Sequence, residues 1–454
     1  MRTVIRIGAA LAAVLLAAVA AHAVQQTPPT VRAIDEAALR EYAGVYQWGP
    51  NAFVYVQLWD EFTGFGKPRQ LVAFDESGEI RSLYPTDRDR FFTGPGAAVS
   101  SSVESRIEFQ RAGTGRITSL TWQREGAAPR SARRVEIEKR EDVRFTNGDV
   151  QLAGTLVSPA RSGRHPAIVL VHGSGAENRE YILPWARFLI RRGIAVLGYD
   201  KRGVGGSTGD WNTASFDDLA GDVVAAVEYL HARRDIERTK IGILGVSQAG
   251  WVMPLAAVRT PDIAFLISVS GAGVVPADTT LDEARNEMAF ARMRPEVIEQ
   301  ILNVMRLEYR FAQTGEGWDD YIATRQQLAT RLGAPPPNFP GTQDDPLWRT
   351  MRAFYFYDPG PTLRRLRTPT LAIFGELDNN ILAEKNKAAW DAALKVSGNR
   401  DYTLRILPKA NHSQWEAKVG NNAEMASVTR FVPEYFTTIQ EWLGKRLPGF
   451  DRSR

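Results

Sequence analysis

The sequence contains no cysteine. This absence excludes disulfide bonds, zinc sites with cysteine ligands, a thiolate nucleophile and a lipid-modified cysteine. Histidine is also scarce, with five among 454 residues, and neither a His-Glu-x-x-His motif nor a phosphate-binding Gly-x4-Gly-Lys-Ser/Thr motif occurs. We therefore expect a chemistry that uses no metal and no cofactor.

An excess of charge of one sign is missing as well. The chain has 56 basic and 52 acidic residues, a formal net charge of +4. Two of the positive charges, Arg2 and Arg6, lie in a leading segment that we expect to be removed. The remaining balance gives no broad basic field, so we expect no nucleic-acid partner.

Long hydrophobic runs are limited to residues 7–21, which follow Arg2 and Arg6. This run is shorter than the roughly 20 residues that span a bilayer. Together with the small residues of Ala21-His22-Ala23, it predicts a signal peptide over residues 1–23 and export to the periplasm or the medium. Residues 24–32 then form a linker, and no other stretch is expected to cross a membrane.

Residues 33–140 are rich in short runs that alternate apolar and polar positions, such as residues 53–58 and 116–122. Alternation with period two, interrupted by Gly, Pro and Asp, is typical of antiparallel strands with one buried face. We predict a small antiparallel β-domain, curled into a barrel or a sandwich.

The pattern changes from residue 141 onward. Asn147-Gly148 predicts a tight hairpin, and continuous apolar runs then alternate with helical segments up to residue 446. Such runs are typical of parallel strands that helices cover on both faces. We predict an α/β catalytic domain over residues 141–446 that ends in a helix near residues 427–443. The predicted buried strands are residues 167–171, 194–197, 241–244, 265–267 and 371–374.

An insertion interrupts this alternation. Residues 274–367 separate two predicted sheet strands and carry apolar residues at helical spacing, including Met288 and Met305. A helical insertion at this point of an α/β sheet predicts a cap that roofs the substrate pocket. Packing alone, or an oligomer contact, is the alternative.

The most informative motif is Gly245-Val246-Ser247-Gln248-Ala249-Gly250, which directly follows the predicted strand 241–244. A serine on a sharp turn between a strand and a helix is a nucleophile elbow, and its neighbours two positions away must be small. Gly245 and Ala249 meet that requirement. The motif predicts Ser247 as a nucleophile; a glycine-rich turn without chemistry is the structural alternative.

A serine nucleophile needs a base and an orienting carboxylate. His412 follows the predicted strand 402–407, whereas His22 leaves with the signal peptide and the other histidines lie at a strand start, in a glycine turn or on a helix. We assign His412 as the base. Asp378, after the strand 371–374, is the predicted acid, and Glu376 is the alternative that could serve only to cap the turn.

The tetrahedral intermediate also needs hydrogen-bond donors for its oxyanion. The backbone N–H of Gln248, directly after the nucleophile, is one candidate. The Ser174 N–H is the other, in the glycine turn His172-Gly173-Ser174-Gly175 that ends the strand 167–171.

These motifs resemble the α/β-hydrolase superfamily, in particular its bacterial esterase branch with dienelactone-hydrolase-like and serine-aminopeptidase-like proteins. The resemblance rests on residues 172–175, 199–209, 245–250, 375–378 and 411–412. The order Ser247, Asp378, His412 is the order of that superfamily. The resemblance implies an α/β-hydrolase fold with Asp200 and Arg202 as structural residues. True dienelactone hydrolases use cysteine, so their reaction is not implied.

We therefore expect an exported serine hydrolase that cleaves carboxylic esters of small molecules through an acyl-enzyme. Peptide or aminopeptidase activity on the same triad is the alternative, and it would need a carboxylate to hold the free amine. A non-catalytic binding protein that uses the β-domain is a less favoured class, because the set of Ser, Asp and His is intact. For the aminopeptidase alternative, the cap offers carboxylates that could hold a free amine at Glu283, Glu287, Glu296, Glu299 and Glu308.

Overall fold

A computed structural model of the chain describes residues 29–59, 70–75, 77–182, 184–333, 339–447 and 449–450. The predicted signal peptide and most of the predicted linker lie outside the described residues. Within them, an antiparallel barrel precedes a mostly parallel sheet flanked by helices. No helix among the described residues is both long and apolar enough to cross a membrane.

The N-terminal unit is a closed barrel, in which each strand pairs with the next and β8 pairs with β1. Strand β6 shows why the sequence alternates, because its buried residues point inward and its exposed residues point to solvent. Helix α1 (Glu36–Tyr42) contributes Leu39 and Tyr42 to the barrel core. The strands are β1 (Gly44–Gly49), β2 (Ala52–Leu58), β3 (Leu71–Asp75), β4 (Ile80–Asp87), β5 (Arg90–Thr93), β6 (Ser105–Arg111), β7 (Ile117–Arg124) and β8 (Arg130–Val135).

The second unit is built on a sheet with the strand order β16-β15-β14-β13-β11-β12-β10-β9. Neighbouring strands from β11 to β16 are parallel, whereas β9 and β10 form an antiparallel edge. The strands are β9 (Glu138–Asn147), β10 (Val150–Pro159), β11 (His165–Val171), β12 (Ala195–Tyr199), β13 (Ile236–Val246), β14 (Phe265–Val269), β15 (Thr370–Gly375) and β16 (Tyr402–Leu407).

Helices cover both faces of this sheet, which explains the continuous apolar runs of its central strands. Every residue of β12, β14 and β15 is buried, and the two faces pack into separate cores. The helices are α2 (Arg179–Ile182), α3 (Pro184–Arg191), α4 (Phe216–Ala232), α5 (Ala249–Ala257), α10 (Gly360–Leu363), α11 (Ala383–Ser397) and α12 (Glu434–Gly444).

The predicted insertion is helical and has a hydrophobic core of its own. Met288 and Met305 are each 7% exposed and belong to that core, so the structure places both in the packing of the cap itself. The cap helices are α6 (Pro276–Phe290), α7 (Pro295–Thr314), α8 (Trp318–Leu332) and α9 (Leu347–Phe354).

Candidate active site

The three residues of the predicted triad all follow strands of the parallel sheet at its carboxyl edge. Ser247 comes directly after β13, Asp378 lies three residues after the end of β15, and His412 lies five residues after the end of β16. Open α/β sheets bind ligands at this edge. The sheet topology therefore gathers residues that are far apart in the sequence.

Ser247 occupies a strained turn between β13 and helix α5. Its φ is +58°, a left-handed conformation that is costly for a residue with a side chain. A Cβ on Gly245 would lie 2.4 Å from the Cβ of Ala249 and 2.8 Å from the Val171 carbonyl oxygen. The turn thus requires glycine at position 245. Ser247 is partly exposed, and its hydroxyl has no hydrogen-bond partner among the described residues.

His412 and Asp378 form a hydrogen-bonded pair. The Nδ1 atom of His412 lies 3.0 Å from Oδ1 and 2.9 Å from Oδ2 of Asp378. The Asp378 side chain is fully buried, and its Oδ1 also accepts hydrogen bonds from the N–H groups of Asn380 at 3.0 Å and Ile381 at 2.8 Å. These backbone donors fix the orientation of the carboxylate.

The pKa of His412 is raised above its ordinary value. Burial lowers this pKa, but the charge of Asp378 and its hydrogen bond raise it, and the charge of Glu283 adds to the increase. A carboxylate on Nδ1 leaves Nε2 as the basic nitrogen, which is the tautomer that can accept a proton from a serine.

The loop that carries His412 is held from several sides. The Ser270 hydroxyl donates to the His412 carbonyl at 2.8 Å and accepts from Gln414 Nε2 at 2.9 Å. Further along this segment, the barrel forms backbone hydrogen bonds from Ile80 N–H to the Thr429 carbonyl and from residue 431 to residue 78. The barrel therefore supports the segment that follows the candidate base.

Glu376, the alternative acid, has a different environment. Its Oε2 accepts a hydrogen bond from the Lys409 N–H at 2.8 Å on the exposed side of the loop. It forms no hydrogen bond with His412 among the described residues. Of the two carboxylates, the structure brings only Asp378 to the histidine.

The other described histidines are engaged elsewhere. His172 is buried with its Nε2 2.6 Å from the Tyr199 carbonyl oxygen, and burial lowers its pKa to about 3. His165 lies near the carbonyl of residue 161, at 3.2 Å. His231 lies 3.8 Å from Asp262 on a partly exposed surface.

The two predicted oxyanion donors lie on loops that one lysine connects. The N–H groups of Gln248 and Ser174 have no hydrogen-bond acceptor among the described residues. The Lys201 ammonium donates to the carbonyls of Gly173 at 2.8 Å and Gly175 at 3.1 Å, and to Gln248 Oε1 at 2.8 Å. Lys201 thus links the glycine turn to the first residue after the elbow serine.

Lys201 is buried, and its surroundings are unusual for a lysine. Burial disfavours the charged ammonium and lowers the pKa of Lys201, whereas the nearby charge of Glu177 raises it. Glu177 Oε2 accepts a hydrogen bond from the Gly173 N–H at 2.7 Å. Sequence reasoning missed this lysine, although a lone lysine between Asp200 and Arg202 at the end of a buried strand was a usable signal.

Asp200 and Arg202 make structural ion pairs. Asp200 Oδ2 accepts from Arg179 Nη2 at 2.8 Å and from the Gly206 N–H at 2.7 Å. Arg202 binds Asp222 through two hydrogen bonds, at 2.8 and 2.7 Å. Both pairs brace the loop over residues 200–209. In the described part of the chain, no group of three or more His, Asp or Glu side chains is placed to hold a metal ion.

A sequence model of the alpha/beta hydrolase family matches residues 168–420. The chain belongs to the alpha/beta hydrolase family. This match covers the elbow serine, the cap and the loops of Asp378 and His412, and it confirms the predicted family and fold class. The residues before 168 include the barrel, which is an addition to the part that the family model covers.

Individual relatives are more distant. Esterase EstD of Thermotoga maritima is 27% identical over 278 residues, which are 58% of this chain and 57% of the esterase. The quorum-quenching protein AidA of Acinetobacter baumannii is 28% identical over 128 residues, 28% of this chain and 42% of that protein. The chain thus spans less than two thirds of either relative, 57% of the esterase and 42% of AidA.

Among solved structures, an esterase of Pyrococcus furiosus aligns with 68% of this chain and 91% of its own, at 18% identity and a TM-score of 0.44. A dienelactone hydrolase of Anabaena variabilis aligns with 68% of this chain and 99% of its own, at 17% identity and a TM-score of 0.38.

Proposed function

We propose that this protein is a serine hydrolase that cleaves carboxylic esters through an acyl-enzyme on Ser247, His412 and Asp378. The observation that carries the proposal is the hydrogen bond between His412 Nδ1 and the buried Asp378 carboxylate. This pair lies at the carboxyl edge of the sheet, where the strained turn of Ser247 also lies. The name of the esterase relative agrees with this reaction class.

In the first half of the reaction, Ser247 Oγ attacks the ester carbonyl and His412 Nε2 takes its proton. Asp378 holds the imidazole with Nδ1 protonated and stabilises the imidazolium that forms. The Ser247 hydroxyl has no hydrogen-bond partner among the described residues. In this proposal the Ser247 and His412 side chains draw together in the substrate complex, as is common when catalytic contacts tighten on binding. Collapse of the tetrahedral intermediate releases the alcohol, which receives the proton from His412.

The oxyanion of that intermediate lies against the N–H groups of Gln248 and Ser174 in this proposal. Both donors are unpaired among the described residues, so a substrate oxygen would satisfy them. In the second half of the reaction, water attacks the acyl-enzyme, with His412 as general base, and the acid product leaves.

The experiment compares the wild-type protein with Ser247→Ala on a panel of p-nitrophenyl esters and aminoacyl-anilides. The proposal expects ester turnover by the wild type and a loss on the order of a million-fold in kcat in Ser247→Ala, as for the serine of other triads. Ser131→Ala, an exposed serine on the barrel, is the matched control and should leave turnover unchanged. Circular dichroism should show both variants to be folded.

Two results would overturn parts of the proposal. Turnover of anilides with no turnover of esters would replace ester hydrolysis by peptide hydrolysis on the same triad. Ester turnover that survives in folded Ser247→Ala would remove Ser247 as the nucleophile.

We also propose export, on the basis of the leading segment over residues 1–23. Expression of the full chain in a bacterium, followed by fractionation and N-terminal sequencing, tests this proposal. A mature chain that begins at Val24 outside the cytoplasm is expected, and an intact Met1 in the cytoplasm would contradict it.

A further inference from the structure

The first helix of the cap, α6, is fixed to the α/β domain where it begins. The Gly273 N–H donates to Oδ1 of Asn386, a buried residue of helix α11, at 2.8 Å. The indole N–H of Trp251, on helix α5, donates to the Val274 carbonyl at 2.7 Å. The start of helix α6 is therefore held from two sides by the domain that carries the candidate triad.

One face of helix α6 contacts the segment that follows the candidate acid. Glu283 and Asn286 are three residues apart, so their side chains share this face. Glu283 Oε1 accepts a hydrogen bond from Asn380 Nδ2 at 2.8 Å. Asn286 Nδ2 donates to the Asn379 carbonyl at 3.0 Å. The cap is therefore tied, by two hydrogen bonds, to the two residues directly after Asp378.

Residues 376–382, which we call the acid loop, are held by different parts of the molecule in their two halves. In the first half, the Leu377 N–H donates to the Ala410 carbonyl at 2.8 Å, beside the loop of the candidate base. In the second half, two hydrogen bonds come from helix α6, and the Asn379 amide donates to the Val419 carbonyl at 3.3 Å. The cap therefore shares in holding the second half of the acid loop.

That second half supplies the backbone groups that orient the Asp378 carboxylate. Oδ1 of Asp378 accepts from the N–H groups of Asn380 at 3.0 Å and Ile381 at 2.8 Å. Oδ2 of the same carboxylate lies 2.9 Å from His412 Nδ1. Three consecutive hydrogen bonds therefore connect Glu283, through Asn380 and Asp378, to the imidazole of the candidate base.

We propose that Glu283 is a positioning residue of the candidate triad, which holds Asp378 in place through Asn380. The inference rests on the proposed function, because it gives Glu283 a part in the triad that the proposed function uses. A displacement of about 1 Å in a catalytic group can cost on the order of a hundredfold in rate. The cap would thus complete the support of the acid as well as cover the site.

The test compares Glu283→Met with Glu283→Gln on the p-nitrophenyl esters of acetate, butanoate and octanoate. Methionine has a similar length but no oxygen to accept the Asn380 amide, so kcat should fall about tenfold, as the loss of one hydrogen bond can cause. Glutamine keeps an acceptor oxygen, and kcat should return to within about twofold of the wild type.

The way in which kcat falls separates positioning from substrate contact. Both halves of the proposed reaction use His412 as base, so the loss in Glu283→Met should be the same for all three esters. KM should change by less than about twofold, because the path ends at the triad and not at the acyl chain. The rate of labelling by a small fluorophosphonate probe should fall with kcat.

A double variant tests the path through Asn380. Asn380→Ala removes the side chain that Glu283 holds but keeps the N–H that Asp378 accepts. It should lose about as much kcat as Glu283→Met. The combined variant should lose no more than the larger single loss, because both replacements break one path. Losses that multiply would overturn the path.

Lys385→Met is the matched control for the seating of the cap. Lys385 pairs with Asp282 at 2.6 Å, so its replacement also removes a contact between helix α6 and the α/β domain. This ion pair is partly exposed and lies beyond the acid loop, and kcat should stay within about twofold. Thermal unfolding shows which variants are folded. If Glu283→Met does not fold, Asn380→Ala supplies the reading.

Several results would overturn the inference and leave the proposed function intact. One is a wild-type kcat in folded Glu283→Met, and another is an equal loss in Glu283→Gln. A change confined to KM or to one acyl length would make Glu283 a substrate contact, and an equal loss in Lys385→Met would assign the effect to the cap as a whole. Absence of turnover with every ester in the wild type would instead count against the proposed function.

Discussion

The Asp378→Asn replacement isolates the role of the buried carboxylate in the candidate triad. Oδ1 of Asp378 accepts two backbone hydrogen bonds, from Asn380 and Ile381. An asparagine keeps its amide oxygen at that position, so its NH2 group takes the position of Oδ2, 2.9 Å from His412 Nδ1. A donor there favours the tautomer with the proton on Nε2, which cannot accept a proton from Ser247.

The expected loss is about ten-thousand-fold in kcat, the scale that this replacement has in serine-protease triads. KM should change little, because the carboxylate is fully buried behind the imidazole. The assay is steady-state hydrolysis of a p-nitrophenyl ester, with thermal unfolding to show that the variant is folded.

Glu376→Gln is the matched control for that experiment. Glu376 accepts the Lys409 N–H on the outside of the loop, and a glutamine oxygen can accept the same bond. Its kcat should stay within about twofold of the wild type. If Asp378→Asn loses less than about tenfold, or if Glu376→Gln is the more damaged variant, the assignment of Asp378 is refuted.

Three further predictions follow from the same geometry. The kcat/KM value should rise with pH to an alkaline plateau, with an apparent pKa above 6.5. His412 must be neutral to act as base, and Asp378 raises the pKa of His412 above its ordinary value. A midpoint below 6.5 would contradict this prediction. Lys201→Met should lower kcat by about tenfold or more with a smaller change in KM, since it removes the links between the two oxyanion loops; unchanged kcat would refute that role. Gly245→Ala should lower both the melting temperature and the labelling of Ser247 by a fluorophosphonate probe, because its methyl group would lie 2.4 Å from the Ala249 Cβ. Wild-type values for both would contradict the crowding argument.

The sequence was informative where function depends on local geometry. The small residues around Ser247 follow from the steric needs of one turn, and the structure shows the crowding at Gly245 that imposes them. Strands such as β14 were predictable because burial on both faces demands continuous apolar residues. The same local logic separated Asp378 from Glu376 only in part, since both follow one strand.

Features that depend on long-range contacts were less accessible. The predicted closing helix over residues 427–443 begins only at Glu434. Residues 428 and 431 instead exchange backbone hydrogen bonds with the barrel, and Pro433 lacks an N–H that a helix interior would use. The periodicity of one segment cannot reveal a partner that is more than 300 residues away.

The cap shows the same limit. The spacing of Met288 and Met305 predicted apolar faces, but both side chains pack within the cap. Glu283 and Glu308 were two of five equivalent carboxylates in the sequence. The packing of helices α6 and α7 distinguishes them. Glu308 is buried without a hydrogen-bond or ion-pair partner in the described part of the chain, whereas Glu283 accepts a hydrogen bond from Asn380, two residues after Asp378.

The central claim is that Ser247 is the nucleophile, and covalent labelling tests it most directly. The native protein is treated with a fluorophosphonate probe, digested with trypsin and analysed by mass spectrometry. We expect one adduct, on Ser247 in the peptide from Ile241 to Arg259, and no labelling of folded Ser247→Ala. An adduct on another serine, or labelling that persists in the variant, would contradict it.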